Sequence, residues 1–266
     1  MHPEIFHFGP LHLRSYGLML SLSFLLGLWL ALREARSRGY DPDAMVDLGV
    51  VLLASGVVGA RLLYVIGHLN EFAGHWIEVL FVWQGGLTLW GGFLVAVPAG
   101  ILFCRQRRLP TWEVADVFAG PVAIGAAVGR FGCFLNGCCY GLPTRLPWGI
   151  RFPAGSLPYA QFGDAALHPS QLYNVLAGLV AYVVVAVAGP HLKHAGQRWW
   201  LMLGTYGLLR AVVDLSRYYE PSAYLAHWGA VGLTESQVTG VALALLSLAL
   251  FLALGRPARV AEAASS

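Results

Sequence analysis

The sequence predicts an all-α membrane protein of seven transmembrane helices, with its N-terminus on the outer side and its C-terminus in the cytoplasm. Three observations carry that expectation. Charged residues make up 12 % of the 266 positions, about half the roughly 25 % of an ordinary soluble domain. The 57 % of apolar residues gather into long runs separated by short charged connections. Finally, Lys and Arg alternate in density from one connection to the next, as they do when cytoplasmic loops carry the positive excess. The net charge of +3 and the lack of a basic stripe argue against a nucleic-acid partner.

Taken in order, the runs long enough to approach the ~20 residues that cross ~30 Å of hydrocarbon cover residues 16–32, 47–69, 86–104, 112–129, 171–189, 199–216 and 237–255. The first is followed by Arg33, Glu34, Arg36 and Arg38 where a cleavage site would need small residues, so it is expected to be a retained helix. The fourth contains Pro121, which neighbouring helices can accommodate. Connections after the odd-numbered spans hold Arg33, Arg36, Arg38, Arg105, Arg107, Arg108, Lys193, Arg198, Arg256 and Arg259; the other side holds Arg14, Arg130, Arg145, Arg151 and Arg217. All of residues 1–266 are expected to form one integral membrane domain. The outer connection 130–170 is long for a plain loop and is expected to form part of the functional site.

Two arginines, Arg61 and Arg210, interrupt apolar runs. A charge at that depth costs ~3 kcal/mol or more and usually marks function, although pairing or snorkelling also explains it. Arg210, Asp214 and Arg217 follow i, i+4, i+7 spacing, which puts them on one helical face. The surplus of positive charge there suits a phosphate. In GRFGCFLNGCCYG, Arg130 stands among glycines whose backbone N–H groups can also cradle an anion, while Gly125 and Gly129 equally suit helix packing. The turn WQGGLTLWGG, with Trp83 and Trp90, fits interfacial aromatics. HPSQLYN is a helix start in which His168 is either a general base or a cap, and Gln171 lies in the first turn.

Cys133, Cys138 and Cys139 cluster within seven residues, with Cys104 apart. Zinc is weakly supported without a CxxC pair; a disulfide on the outer side and packed thiols are both open. Neither a cofactor nor a metal ion is expected.

These pieces, in order, resemble the bacterial prolipoprotein diacylglyceryl transferase family over nearly the whole chain: RSYGLML with Tyr16, GARLLYV with Arg61, GGLTLWGG, GRFGCFLNGCCYG, HPSQLY, and YGLLRAVVDLSRYYEP followed by LTESQ. The resemblance implies a multi-pass protein of the bacterial inner membrane with a periplasmic N-terminus. It also implies transfer of a diacylglyceryl group from phosphatidylglycerol to the lipobox cysteine thiol of preprolipoprotein signal peptides, the first step of lipoprotein maturation. Catalytic roles then fall on Arg130, Arg210, Tyr16, Asp214 and His168. Binding of substrate falls on Arg130, Arg61, Asn136, Gly141, Gln171 and Arg217.

The chain departs from the family pattern at Trp90, where His is usual, at Cys133 and Cys138, where Asn and Glu are usual, and at Asp214, where Glu is usual. Deprotonation of the acceptor would then fall to Tyr16, His168 or Asp214, or need no dedicated base. The departures leave two alternatives: a divergent paralogue that binds phospholipid or lipoprotein without catalysis, and a membrane thiol oxidoreductase.

Overall fold

The computed structural model describes residues 4–8, 11–220, 224–228 and 231–255. The elements run β1 (Glu4–Phe8), β2 (Leu11–Arg14), α1 (Ser15–Ser37), α2 (Pro42–Gly67), α3 (Leu89–Gln106), α4 (Thr111–Asn136), α5 (Leu157–Phe162), α6 (Ser170–Ala188), α7 (Gln197–Asp214), β3 (Tyr224–Trp228), β4 (Val231–Thr234) and α8 (Glu235–Leu254). Every expected span coincides with a helix. Six of these helices are long and apolar enough to cross a bilayer. The exception is α7, which carries Arg198, Arg210 and Asp214 within its 18 residues, so the count of seven spans rests on a helix whose charges need protein partners. Arg256 and Arg259, used to orient the C-terminus, lie outside the described residues.

The all-α expectation is incomplete. Two antiparallel hairpins, β1–β2 and β3–β4, run directly into α1 and α8. Their strands of four or five residues are too short for alternation to stand out beside long apolar runs. The connection expected at 130–170 also starts later, because α4 continues through Arg130 to Asn136 with Pro121 inside it. Thereafter the chain forms isolated bridges, Gly141 with Arg217 and Leu167 with Pro143 and Ile150, and the short helix α5. That helix has Ser156 as its N-cap, accepting from the Tyr159 N–H.

The described chain divides into two compact units, one comprising Met1–Leu30 and Ala115–Ser266, the other Ala31–Val114. In the second unit, α2 starts on Asp41, whose carboxylate accepts from the Asp43 N–H, followed by Pro42. It packs on α3 with its backbone so near that a Cβ at Gly59 would collide with the Gly91 carbonyl oxygen. The first unit centres on Ala119, Ala123, Ala181, Val185 and Met202, flanked by Tyr182, Trp199, Leu203 and Tyr206. Here small residues let helices approach: a Cβ at Gly178 of α6 would meet the Ala123 oxygen of α4 at 2.9 Å, and Ser23 of α1 donates to the Gly125 oxygen at 2.7 Å. Gly125 therefore packs, as one half of the GxxxG reading requires; Gly129 has nothing within 4 Å of its Cβ position.

The charged start of α7 is tied in by Asp116 of α4, which accepts from the Gly196 N–H at 2.8 Å and the Trp199 N–H at 2.9 Å. A carboxylate at those orphan donors satisfies them and complements the helix dipole. This anchors the helix that carries Arg210 and Asp214.

Candidate functional site

The site begins where α4 ends. Gly137, with φ +74°, closes the helix: its N–H bonds the Phe134 carbonyl at 3.2 Å, and the Cys138 N–H reaches the Cys133 carbonyl at 3.1 Å. This paired closure calls for a left-handed residue, which glycine supplies without strain. It folds the chain back on the helix, so that the Cys133, Cys138 and Cys139 sulfurs all lie within 4.8 Å of one another. Gln171 of α6 holds the turn, its Nε2 donating to the Cys138 carbonyl at 2.8 Å, and Asn136 hydrogen-bonds the Cys138 side chain. All four cysteines are free thiols, as in the packed-thiol alternative rather than the disulfide one.

Arg217 reaches the same place from the other direction. It does not lie on α7, as the i, i+4, i+7 stripe supposed. The helix stops at Asp214, and the next three N–H groups, of Leu215, Ser216 and Arg217, bond back only three residues, tightening the chain out of helical register. Arg217 then pairs with Gly141 as an antiparallel bridge, fixed by Leu142 N–H to Ser216 oxygen at 2.9 Å and Tyr218 N–H to Tyr140 oxygen at 3.1 Å. Its Nη2 donates to the Cys139 sulfur at 3.2 Å and its Nη1 to the Tyr219 hydroxyl at 3.0 Å, while its Nε is buried without a partner. Gly141 is needed here for space: a Cβ would stand 2.5 Å from both the His168 carbonyl oxygen and the Ser170 hydroxyl.

Behind Arg217 lies a closed polar network. Asp214, 2 % exposed, accepts from Arg210 Nη1 at 2.5 Å and from the Tyr219 hydroxyl at 2.6 Å on one oxygen, and from Thr234 of α8 at 2.6 Å on the other. Arg210 Nη2 also reaches Tyr219 at 3.3 Å. Thr234 serves twice, since its hydroxyl also accepts from the Gln237 N–H in a capping box that starts α8. Arg210 is thus an internally paired arginine.

The remaining expected residues divide cleanly. Arg130, on α4, faces the Tyr206 hydroxyl and the Cys139 and Cys133 thiols. Tyr16, on α1, lies close enough to Arg130 and to all three clustered thiols to feel their charge, and its ring edge lies 3.6 Å from where a Cβ on Gly132 would stand. His168 stands apart in its chemistry: its Nδ1 meets the Tyr173 hydroxyl at 3.3 Å, which in turn accepts from Trp148 Nε1 at 2.7 Å.

Arg61 belongs to the other compact unit and is committed to backbone: Nε to Val79 oxygen at 2.8 Å, Nη1 to Gly85 and Gly86 oxygens at 2.8 and 3.2 Å, Nη2 to Glu78 oxygen at 2.5 Å. Four of its five donors hold the 78–86 loop, so the expectation that Arg61 binds substrate gives way to a loop-organising role. Trp90 is half-exposed, in keeping with an interfacial aromatic.

Among the described residues, neither Arg130 nor Arg217 has a carboxylate partner. The Cys139 side chain sits beside both. Hydrogen bonds from the Cys133 and Cys138 thiols, then the charges of Arg217 and Arg130, hold its thiol far below the ordinary range against the opposing effect of burial. Tyr219 moves the other way, because burial and the carboxylate accepting its proton outweigh the two arginines. Tyr219, Thr234 and Tyr206 were not singled out from sequence. The spacing Thr-x-x-Gln before an apolar run was the available signal for Thr234; Tyr206 and Tyr219 stand within YGLLRAVVDLSRYYEP, one of the stretches that carry the resemblance, with no role assigned to them there.

A family model described as prolipoprotein diacylglyceryl transferase matches residues 3–253. The phosphatidylglycerol–prolipoprotein diacylglyceryl transferase of Synechococcus elongatus is 39 % identical over 178 residues, which are 67 % of this chain and 62 % of that protein. This chain therefore aligns with a little under two thirds of that relative's length. The protein of the same name from Geobacter sulfurreducens is 35 % identical over 227 residues, 84 % of each chain.

Proposed function

The chain belongs to the prolipoprotein diacylglyceryl transferase family, and from that premise we propose that it transfers the diacylglyceryl group of phosphatidylglycerol to the lipobox cysteine of a preprolipoprotein. By its six apolar helices and its family it is a multi-pass membrane protein. We place it in the bacterial inner membrane with α7 as a seventh span, N-terminus outside. In the reaction the acceptor sulfur attacks the glyceryl carbon, a C–S bond forms, and the C–O bond to phosphate breaks. Glycerol phosphate leaves with the bonding electron pair.

The observation that carries this reading is the meeting of Arg130 and Arg217, two guanidinium groups on separate elements, at one site where neither faces a carboxylate among the described residues. Among the described residues the Cys139 thiol lies beside both, the Tyr206 hydroxyl and the Cys133 thiol also face Arg130, and the Arg217 Nε is buried without an acceptor. A phosphate oxygen completes both arginines. As the C–O bond breaks, negative charge grows on that phosphate, and pre-placed donors stabilise it more than they stabilise the bound lipid; removing one such donor typically costs about 2.7–4 kcal/mol.

The other residues take supporting parts. Arg210 and Asp214 position Tyr219, which steadies Arg217; Gly141 fixes the Arg217 register; Gln171 and Asn136 hold the cysteine turn. Asp214 already accepts from three partners, and His168 is engaged with Tyr173. Tyr16 is then the ionisable group of the expected set best situated to meet the acceptor thiol, which near pKa 8.5 is also partly ionised without help.

The test is complementation: the protein is expressed in bacteria depleted of their own transferase, and conversion of a model preprolipoprotein is followed by gel shift and mass. Wild type should convert it with release of glycerol phosphate, and Arg130→Ala and Arg217→Ala should lose conversion by about 100-fold or more at equal membrane abundance. Full conversion by Arg130→Ala would refute the phosphate assignment. Phosphatidylglycerol binding without product release would refute catalysis.

A further inference from the structure

We infer that Cys133, Cys138 and Cys139 form a three-thiolate site for a soft, closed-shell metal ion of the Zn(II), Cd(II) or Cu(I) type. The transferase reading does not use these thiols as a set, and the inference does not depend on it.

Two features of the geometry favour a metal, the spacing of the sulfurs and the turn that holds them. The three sulfurs, all free, already lie within 4.8 Å of one another. A metal with M–S bonds of ~2.3 Å sets its sulfurs ~4 Å apart in a trigonal or tetrahedral arrangement, so binding needs a contraction of less than an ångström, within the rotamer freedom of three cysteines. Two of the ligands follow the third through a rigid turn. The Gly137 closure returns the chain to the end of α4, and Cys139 adopts φ +58°, a left-handed conformation that a non-glycine residue holds only where its surroundings enforce it. Those surroundings are visible: Gln171 grips the Cys138 carbonyl and Arg217 grips the Cys139 sulfur. A preformed turn of this kind lowers the ordering cost of binding.

Electrostatics agree. Metal ligation requires the thiols to be deprotonated, and three thiolates in a half-buried setting are tolerable only beside positive charge. Arg130 and Arg217 supply it without carboxylates of their own among the described residues. Asn136, hydrogen-bonded to Cys138, is an outer-shell partner of the kind that orients metal ligands. Three soft sulfur donors with no imidazole among the clustered groups favour thiophilic ions over Mg(II) or Ca(II).

Purified, detergent-solubilised full-length protein, reduced and chelator-washed, is titrated with Cd(II) and separately with Zn(II). The readouts are the thiolate-to-metal charge-transfer band of the cadmium form, the metal-to-protein ratio after desalting, and protection of thiols from alkylation by mass spectrometry. One ion per chain should bind, with Cys133, Cys138 and Cys139 protected and Cys104 not. Cys104→Ser should behave as wild type. Cys139→Ser should weaken binding at least about tenfold, and the triple Ser variant, eluting normally on gel filtration, should bind none above background. Equal binding by wild type and the triple variant, or protection of Cys104 in place of the cluster, would overturn the inference, as would no binding by the reduced wild type. Activity enters none of these readouts, so failure here leaves the transferase reading intact.

Discussion

Whether Arg210 waits for lipid or serves Asp214 is decided by removing each charge alone and then both. The Arg210–Asp214 contact is 2.5 Å with side chains 11 % and 0 % exposed, so solvent screens it little. Arg210→Met leaves the Asp214 carboxylate buried, still accepting from Tyr219 and Thr234 but without its cation. Asp214→Leu strands the guanidinium and also frees the two hydroxyl donors. Breaking one side of a buried pair costs about 3–5 kcal/mol, because the survivor is an uncompensated buried charge, whereas replacing both by apolar groups is often close to neutral. The double variant should therefore be more stable than either single, with a coupling of at least about 2 kcal/mol. The loss of hydroxyl partners at Tyr219 and Thr234 should keep it about 1–3 kcal/mol below wild type. Stability is read as the denaturation midpoint in mild detergent, converted with a common slope, beside prolipoprotein conversion in membranes. If the two single losses simply add in the double variant, the charges are not each other's partners, and the assignment of Arg210 to positioning fails.

Two further outcomes follow from other contacts. Gly141→Ala drives a Cβ into the His168 carbonyl and the Ser170 hydroxyl, both 2.5 Å away; it should destabilise by about 1–3 kcal/mol and lose conversion more than stability explains, since it shifts the strand partner of Arg217, measurable by comparing midpoints with initial rates. Arg61→Met should expose the 78–86 loop to limited proteolysis while leaving the affinity for phosphatidylglycerol vesicles unchanged; a selective loss of lipid affinity would return Arg61 to the binding set.

In metal-free protein the alkylation rate of Cys139 should fall less steeply as pH is lowered than that of an ordinary thiol, which slows about tenfold per unit. Its folded pKa lies below the unfolded one, so the stability this thiolate adds is complete above about pH 8.5 and is lost as pH falls towards the folded value. Cys133→Ala with Cys138→Ala should raise the inflection more than Arg217→Met does, because the thiol hydrogen bonds act more strongly than the arginine. The opposite order would show that the guanidinium dominates.

The contrast between Arg61 and Arg217 explains how far the sequence could be read. Hydropathy is a property of a segment by itself, so each of the seven long helices was legible from its own residues, and the helix start at HPSQLYN likewise needed only local rules. The fate of an arginine's donors depends on what the rest of the chain brings to it. Arg61 looked functional because it interrupts an apolar run, yet the carbonyls that engage it come from residues 78, 79, 85 and 86, in a loop whose path no periodicity reveals. Arg217 looked like the third member of a helical stripe, but the helix ends at Asp214; it arrives at Cys139 only through a bridge to Gly141, some seventy-six positions away in the chain. Composition and spacing identified which groups needed partners. The pairing of Asp214 with Arg210 leaves Arg217 and Arg130 without a carboxylate among the described residues, and on the proposed function these are the two groups that meet the phosphate.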